Sequence, residues 1–515
     1  MCKLVLCFFL LIGSLNSFAQ IPTIQWQHSY GDSGDEEGYS IKAISEEGYI
    51  VAGYTDSNSG IVVNNNGNRD LWIFELDSIG NLLWNSCYGG LGTEKGFSIT
   101  KSIDKGFVAV GYAGSNTGMV AGCHGGLDFW VVKTDSLGIF QWQKCIGGIS
   151  IEQAHCIIAT VDSGYLVTGT TDSYGNGGDD MWVVKLDQVG NIEWSRALGG
   201  SDYEQGNACV QKANGNYLIS GAAASINGDV TGNHSSTTDA WVVELNDTGG
   251  IVWNKCYGGS NLDNSYGIEL TDDGGFLLSA FTRSSDGDVS QLLGVEDFWL
   301  VKCNSIGTIE WEKTYGGAYH ESPRAIARRS NGEIVMAGVS TTDDGMVTGS
   351  HGSNDFWVIC VDSMGNLLWT KCLGGTGSDF AYALDLTDEG DVVVAGTTES
   401  SNGDVTNNYG GKDVWVVKLS TSTVEVPEME RQLMDFTVFQ KDDLLRVRFY
   451  SRRNIPLYFQ IFDYNGQLLH EQSIDIHEGI NLLDLAPAMK STGLYVLSVN
   501  GMGLNLSKVF QFIKE

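Results

Sequence analysis

Positive charge is what this chain has least of. Lys and Arg number 30 against 63 Asp and Glu, a formal net charge of -33. The deficit is uneven: residues 431–515 carry nine of each sign, so the first 430 hold the whole excess. Such a surface repels nucleic acid and anionic lipid, and neither is expected as a partner. Long apolar runs are missing too. The run from Leu4 to Ile12 is too short to span a bilayer and no later stretch is long enough, so no transmembrane segment is expected. Proline is scarce, five residues against 67 glycines. With fourteen tryptophans, that composition suits many short strands joined by tight turns and excludes a disordered chain.

Catalytic signatures are equally thin. Histidines 28, 124, 155, 234, 320 and 351 fall at unrelated places with no paired metal-ligand spacing. Arginine is too sparse for a sialidase-like cluster. Arg324, Arg328 and Arg329 form one local group, which reads as a solvated strand face.

The opening "MCKLVLCFFLLIGSLNSFAQ" has a lysine, an apolar core and the small-x-small Ser17-Phe18-Ala19. It reads as a signal peptide over residues 1–19, cut between Ala19 and Gln20. Cys2 and Cys7 lie too early to carry a lipid at that cleavage point, so the mature chain is expected to be secreted or attached to the outer cell surface. Nine cysteines remain after such a cut, an odd number that argues against a complete disulfide framework. Cys87, Cys145, Cys256 and Cys372 share one repeat position that Ala, Ser or Thr fills in other copies. A slot with those occupants is a small packing site, so free buried thiols are expected.

What the chain does have is a repeat. Asp70/Trp72, Asp128/Trp130, Asp180/Trp182, Asp239/Trp241, Asp297/Trp299, Asp355/Trp357 and Asp413/Trp415 recur every 58 or 59 residues, with one step of 52 near Tyr174. Six of these tryptophans are followed twelve residues later by a second: Trp84, Trp142, Trp194, Trp253, Trp311 and Trp369. Each copy contains alternating apolar residues bounded by Asp, Asn and Gly, the pattern of four short strands. Units of that kind must stack on neighbours. A propeller blade satisfies this, with the segment of small residues innermost, as at Gly96/Ser98 and Ala381/Ala383. Blades are expected at about 36–88, 94–146, 152–198, 204–257, 263–315 and 321–373, with a seventh from Asp379 to Leu419 that is one strand short.

Trp415 has no second tryptophan after it, while Trp26 has no first tryptophan before it. Each orphan supplies what the other lacks. The expected fold is therefore all-β, a seven-bladed propeller over residues 22–419 closed by its N-terminal strand. Burying one tryptophan is worth at most about 4–6 kcal/mol, from ~150–250 Å² at ~25 cal/mol per Å².

The Gly-Gly, D-x-W and later tryptophan together resemble kelch-type propellers. The hairpin from Leu186 to Trp194 is similar to the tryptophan-docking repeats of quinoprotein-like propellers. These resemblances imply architecture and leave activity open.

After a polar linker at 420–435, residues 436–515 lack tryptophan and cysteine and read as short strands of a small β-sandwich. This part resembles the C-terminal sorting domain of type IX secretion cargo. The matching residues are Asp463 with Gly466, Gly479 with Asn481, Gly493 with Tyr495, and the closing segment around Lys508. The resemblance implies the type IX secretion machinery as a partner.

Strand direction puts the Gly-Gly connections and all long loops on one face. The same face gathers Glu36, Glu94, Glu152, Glu204, Asp263, Glu321 and Asp379 near the axis. One reading makes them a carboxylate ring that binds a cation or a basic or polyhydroxylated ligand. The other makes each an acceptor for backbone N–H groups at its blade corner, and turn donors that need acceptors favour it. Asn227-Gly228-Asp229 and Asp286-Gly287-Asp288 resemble calcium loops but lack the run of oxygen ligands calcium needs, so turn chemistry is the better reading. No catalytic residue, metal ligand or cofactor other than calcium is singled out. The expected function is a non-enzymatic binding or adhesion module for an extracellular glycan or protein. The alternative is an exported glycan-active or quinoprotein-like enzyme working from the loop face.

Overall fold

Each copy of the repeat folds into four antiparallel strands. In the first they are Glu36–Ala43, Tyr49–Thr55, Asp70–Leu76 and Leu82–Tyr88, paired in that order. The structure is a computed structural model that describes residues 21–44, 48–420, 437–441, 444–451, 455–463, 468–477, 479–485, 493–501 and 504–512. The signal-peptide reading with Ala19 and Gln20, the linker beyond Ser420, and Gly466 lie outside those residues. The chain divides into two compact units, 1–421 and 422–515.

Six sheets have this form, and the seventh is composite. Strand Thr23–Tyr30 lies antiparallel to Asp413–Ser420, beside Val392–Thr398 and Asp379–Leu386. The ring is thus a seven-bladed propeller closed by its first strand. Trp26 and Trp415 share that sheet, where their Cα partners are Lys418 and Ser29.

The third strand of each blade is buried along nearly its whole length because adjacent blades cover both faces. Its sequence is therefore a continuous apolar run, not an alternation. Outer strands are exposed or half-buried along most of their length. Blades dock head to tail through the outer strand. Tyr30, Tyr88, Tyr257 and Tyr315 each donate a hydroxyl to the carbonyl of a glycine in the next blade's hairpin, respectively Gly80, Gly138, Gly307 and Gly365. Trp26 lies over the same turn and donates its indole N–H to Ser78 O at 3.1 Å. Gly80 has φ 84°, and a Cβ there would stand 2.8 Å from the Trp26 ring, so glycine is required twice over.

One cysteine departs from expectation. Cys145 is disulfide-bonded to Cys123 of the same blade's long loop, while Cys87, Cys256 and Cys372 are buried free thiols. The slot is indeed small, but only in the second blade does the loop bring another cysteine to it, Cα to Cα 5.0 Å.

The second unit contains two antiparallel sheets, as a small β-sandwich requires. One holds Thr437–Lys441, Leu444–Ser451 and Gly479–Leu485. The other holds Leu468–Ile476, Ile455–Asp463, Gly493–Gly501 and Leu504–Phe512. Asp463 and Tyr495 are cross-strand partners, as are Asn481 with Phe449 and Lys508 with Leu497. Gly479 and Gly493 each open a strand.

Candidate functional site

The seven inner acids open the seven inner strands and are fully buried. Each accepts backbone N–H from the connection before it, Gly-Gly in six copies and Gly31-Asp32 in the first: Glu36 from Asp32, Glu94 from Gly90, Glu152 from Gly148, Glu204 from Gly200, Asp263 from Gly259, Glu321 from Gly317 and Asp379 from Gly375, all at 2.7–2.9 Å. Several also take a hydroxyl from the second strand, as Glu36 does from Thr55 at 2.7 Å. As placed, none of them presents an oxygen to solvent.

Beside them stand the equally buried aspartates of D-x-W. One oxygen of each accepts a backbone N–H from the end of the long loop, as Asp70 does from Asn66 and Asp413 from Tyr409. The other oxygen, Oδ1, has no hydrogen-bond partner in any of the seven. A Cβ on Gly89, the first glycine of the Gly-Gly pair, would strike both Asp70 Oδ1 and Glu94 Oε2, which is why that position is glycine. Burial, with a smaller contribution from the neighbouring acid, pushes Asp70, Asp180, Asp239 and Asp413 up to about 6.

The calcium-like loops serve the same corners. Asn227 Oδ1 accepts from Ser201 N at 2.9 Å and Asp286 Oδ1 from Ser260 N at 2.7 Å. Among the described residues, one group of three possible metal ligands converges, Cys123, Asp128 and Cys145, and its two sulfurs are bonded to each other.

The residues that face the axis come from a different position. In every inner strand the register shifts between the third and fifth residues, at Gly38/Ser40, Gly96/Ser98, Ala154/Cys156, Gly206/Ala208, Ser265/Gly267, Pro323/Ala325 and Ala381/Ala383. The fourth residue is the extra one of a β-bulge, a device that re-aims a side chain. These seven are Tyr39, Phe97, His155, Asn207, Tyr266, Arg324 and Tyr382, all half-buried. They make a belt at the ring's centre, each reaching a neighbouring inner strand. Tyr39 lies 4.7 Å from Tyr382 and 5.0 Å from Phe97, ring centroid to centroid. Phe97 lies 6.0 Å from His155, whose Nδ1 is 3.0 Å from Gly206 O. Asn207 donates to Asn264 Oδ1 at 3.1 Å, and the Arg324 guanidinium sits 4.1 Å over the Tyr266 ring.

Arg324 is therefore axial, not part of a solvated face. Its neighbours in sequence diverge from it: Arg328 pairs with Asp272, and Arg329 with Glu333. Arg324 meets no carboxylate among the described residues, in a chain of net charge -33. Nearby, Lys95 stands 4.0 Å over the Tyr54 ring, and burial lowers its pKa. Glu37 is compensated: burial works against its ionisation, but hydrogen bonds from Tyr39 and Lys412 outweigh it and hold the carboxyl below its usual range. Burial lowers the His155 pKa, so its ring is neutral at pH 7, and with Nδ1–H bonded to Gly206 O its Nε2 is an acceptor. The belt thus offers aromatic faces, one unpaired guanidinium and mixed hydrogen-bonding groups.

No protein-family model matches the chain, and no curated protein matches it. Similar solved structures include the Neurospora crassa Pan2 WD40 domain, at 10% identity over 62% of this chain and 88% of that one, TM-score 0.33. Puromycin hydrolase is 10% identical over 80% of this chain and 58% of that chain, TM-score 0.42. A Synechocystis apocarotenoid oxygenase mutant is 10% identical over 78% and 95%, TM-score 0.36.

Proposed function

We propose that this chain is a secreted or cell-surface binding module whose propeller, kelch-like in its repeat, holds an extracellular ligand on its axis. Its C-terminal unit, similar to the sorting domain of type IX secretion cargo, delivers it. One observation carries the binding reading. Positions that brace the blades repeat from copy to copy, whereas the bulge position, aimed at the axis, holds five residue types in seven blades, tyrosine three times, and is rich in aromatic and polar groups. A scaffold whose bracing positions largely repeat while its axial position varies is suited to present those axial side chains.

The chemistry of the belt favours an anionic ligand with a polyhydroxylated or planar body. Arg324 supplies a charge that no carboxylate among the described residues neutralises, its guanidinium lying over Tyr266, and Tyr39, Tyr382 and Phe97 supply aromatic faces. Acidic glycans, such as uronate-containing oligosaccharides, combine both features. The test is a glycan array with a parallel hydrolase screen, using the whole chain and an Arg324→Gln variant. Binding of acidic glycans that falls at least about tenfold in the variant, without turnover, supports the reading. Turnover of the glycan, or binding indifferent to Arg324, overturns it.

A further inference from the structure

Seven tryptophans occupy the equivalent third-strand position, and six are sealed in the same two ways. First, a valine of the long loop packs into the same buried cluster: Val62 with Trp72, Val120 with Trp130, Val230 with Trp241, Val289 with Trp299, Val347 with Trp357, and Val405 with Trp415. Second, a side-chain oxygen on the outer strand accepts the indole N–H: Asn85, Gln143, Asn254, Glu312, Thr370 and, across the ring closure, Gln27.

Trp182 has neither. Its blade's loop spans only residues 172–179, against 14 residues at 56–69, and contains no valine. The outer-strand position that caps the others is Ser195, an exposed residue whose hydroxyl makes no bond to the indole, and the Trp182 N–H meets no acceptor among the described residues. Tyr174 from the short loop lies against the indole, ring centroids 5.3 Å apart, with its hydroxyl turned away to Gly147 O at 3.0 Å. It covers one side and leaves a cavity of about 410 Å³ lined by Trp182, Tyr174, Ile146, Ala197, Ser195 and His124.

We infer that this cavity is a peptide-binding pocket, at the junction of the second and third blades. In the sibling blades the equivalent tryptophan is met by a branched aliphatic side chain and by a side-chain oxygen, an amide oxygen in four of the six. The ligand it fits is thus an uncharged extended segment of a partner protein that buries a valine-like side chain against Ile146 and Ala197 and gives a carbonyl oxygen to Trp182 Nε1. The site is independent of the axial belt, and its occupation would not require the reading given to that belt.

The probe is the blocked pentapeptide Gly-Met-Val-Thr-Gly, copied from residues 345–349 of the sixth blade's loop. Indole N–H resonances of the whole chain, labelled at tryptophan nitrogen, are followed during titration. The expected result is movement of the Trp182 signal alone, with a dissociation constant on the order of a millimolar for so small a ligand. The same peptide with its valine replaced by aspartate should leave the signal still. Ser195→Asn, which supplies the cap found beside Trp72 and Trp241, should identify that signal by shifting it in the free protein and should weaken binding by about tenfold or more. As Ser195 is exposed, that variant keeps its fold, which the other thirteen indole signals report. No response at Trp182 to the peptide, equal response to both peptides, unweakened binding in the variant, or response to neutral oligosaccharides in place of peptide would each overturn the proposal.

Discussion

Gln27 and Trp415, 388 positions apart, are joined by a hydrogen bond of 2.8 Å from the indole N–H to the amide oxygen. It is the same cap that Asn85 gives Trp72 over thirteen positions within one blade. The chain ends therefore rebuild an ordinary blade, with its sheet register, its plug valine and its cap all in place.

That equivalence makes the closure measurable. Trp415→Ala is expected to lower the unfolding free energy by about 3–5 kcal/mol, as truncation of a buried aromatic does elsewhere. Gln27→Ala, which only removes the cap, should cost about 1 kcal/mol. Urea midpoints of the two variants and the parent give the comparison. A Trp415→Ala variant no weaker than the Gln27 variant would mean that this seam does not hold the ring.

The buried aspartates set a pH dependence. Asp70, Asp180, Asp239 and Asp413 titrate near 6 in the folded chain, against about 3.9 when unfolded. The folded state binds the extra protons, so their stabilising effect is full below the unfolded value and is lost as pH rises through about 6. The melting temperature should fall between pH 5 and pH 7.5. Asp70→Asn, whose amide can donate to the nearby Glu94 carboxylate, should raise stability at pH 7.5 by about 1 kcal/mol and flatten part of the slope. An unchanged slope in a fourfold Asn variant would refute the assignment.

Reduction should be felt in one blade only. The Cys123–Cys145 bond closes a segment with a sequence separation of 22, for which chain entropy predicts about 3 kcal/mol. Reductant is expected to lower the stability of the parent chain and to leave Cys123→Ser unaffected. Alkylation of the unfolded, unreduced chain should mark Cys87, Cys256 and Cys372 and spare Cys123 and Cys145. Labelling at Cys145 would show the bond absent.

Much of the ring was legible because tryptophan spacing reports strand spacing directly. The inner strands begin at the seven acids, and the orphans Trp26 and Trp415 do share one sheet. The axial belt was hidden for a local reason. A bulge adds one residue to a strand, so Tyr39 or Arg324 sits between two small residues and breaks the alternation that marks which side chains share a face. The usable signal was that a large residue stands between the small pair and takes five identities in seven copies. The blade in which Trp182 lacks plug and cap was half visible, as a step of 52 residues, but its meaning depends on which loop residue packs where. Loop path likewise decides that Cys145, alone in its slot, finds a second sulfur.

The seam has a mechanical side. Thr23 and Ser420, where the chain joins and leaves the ring, are direct partners at the same end of one strand pair. Tension drawn between the two termini would load that pair one rung at a time, peeling it like a zipper instead of sharing the force across all rungs. The toroid should yield there first and uncoil blade by blade from that point.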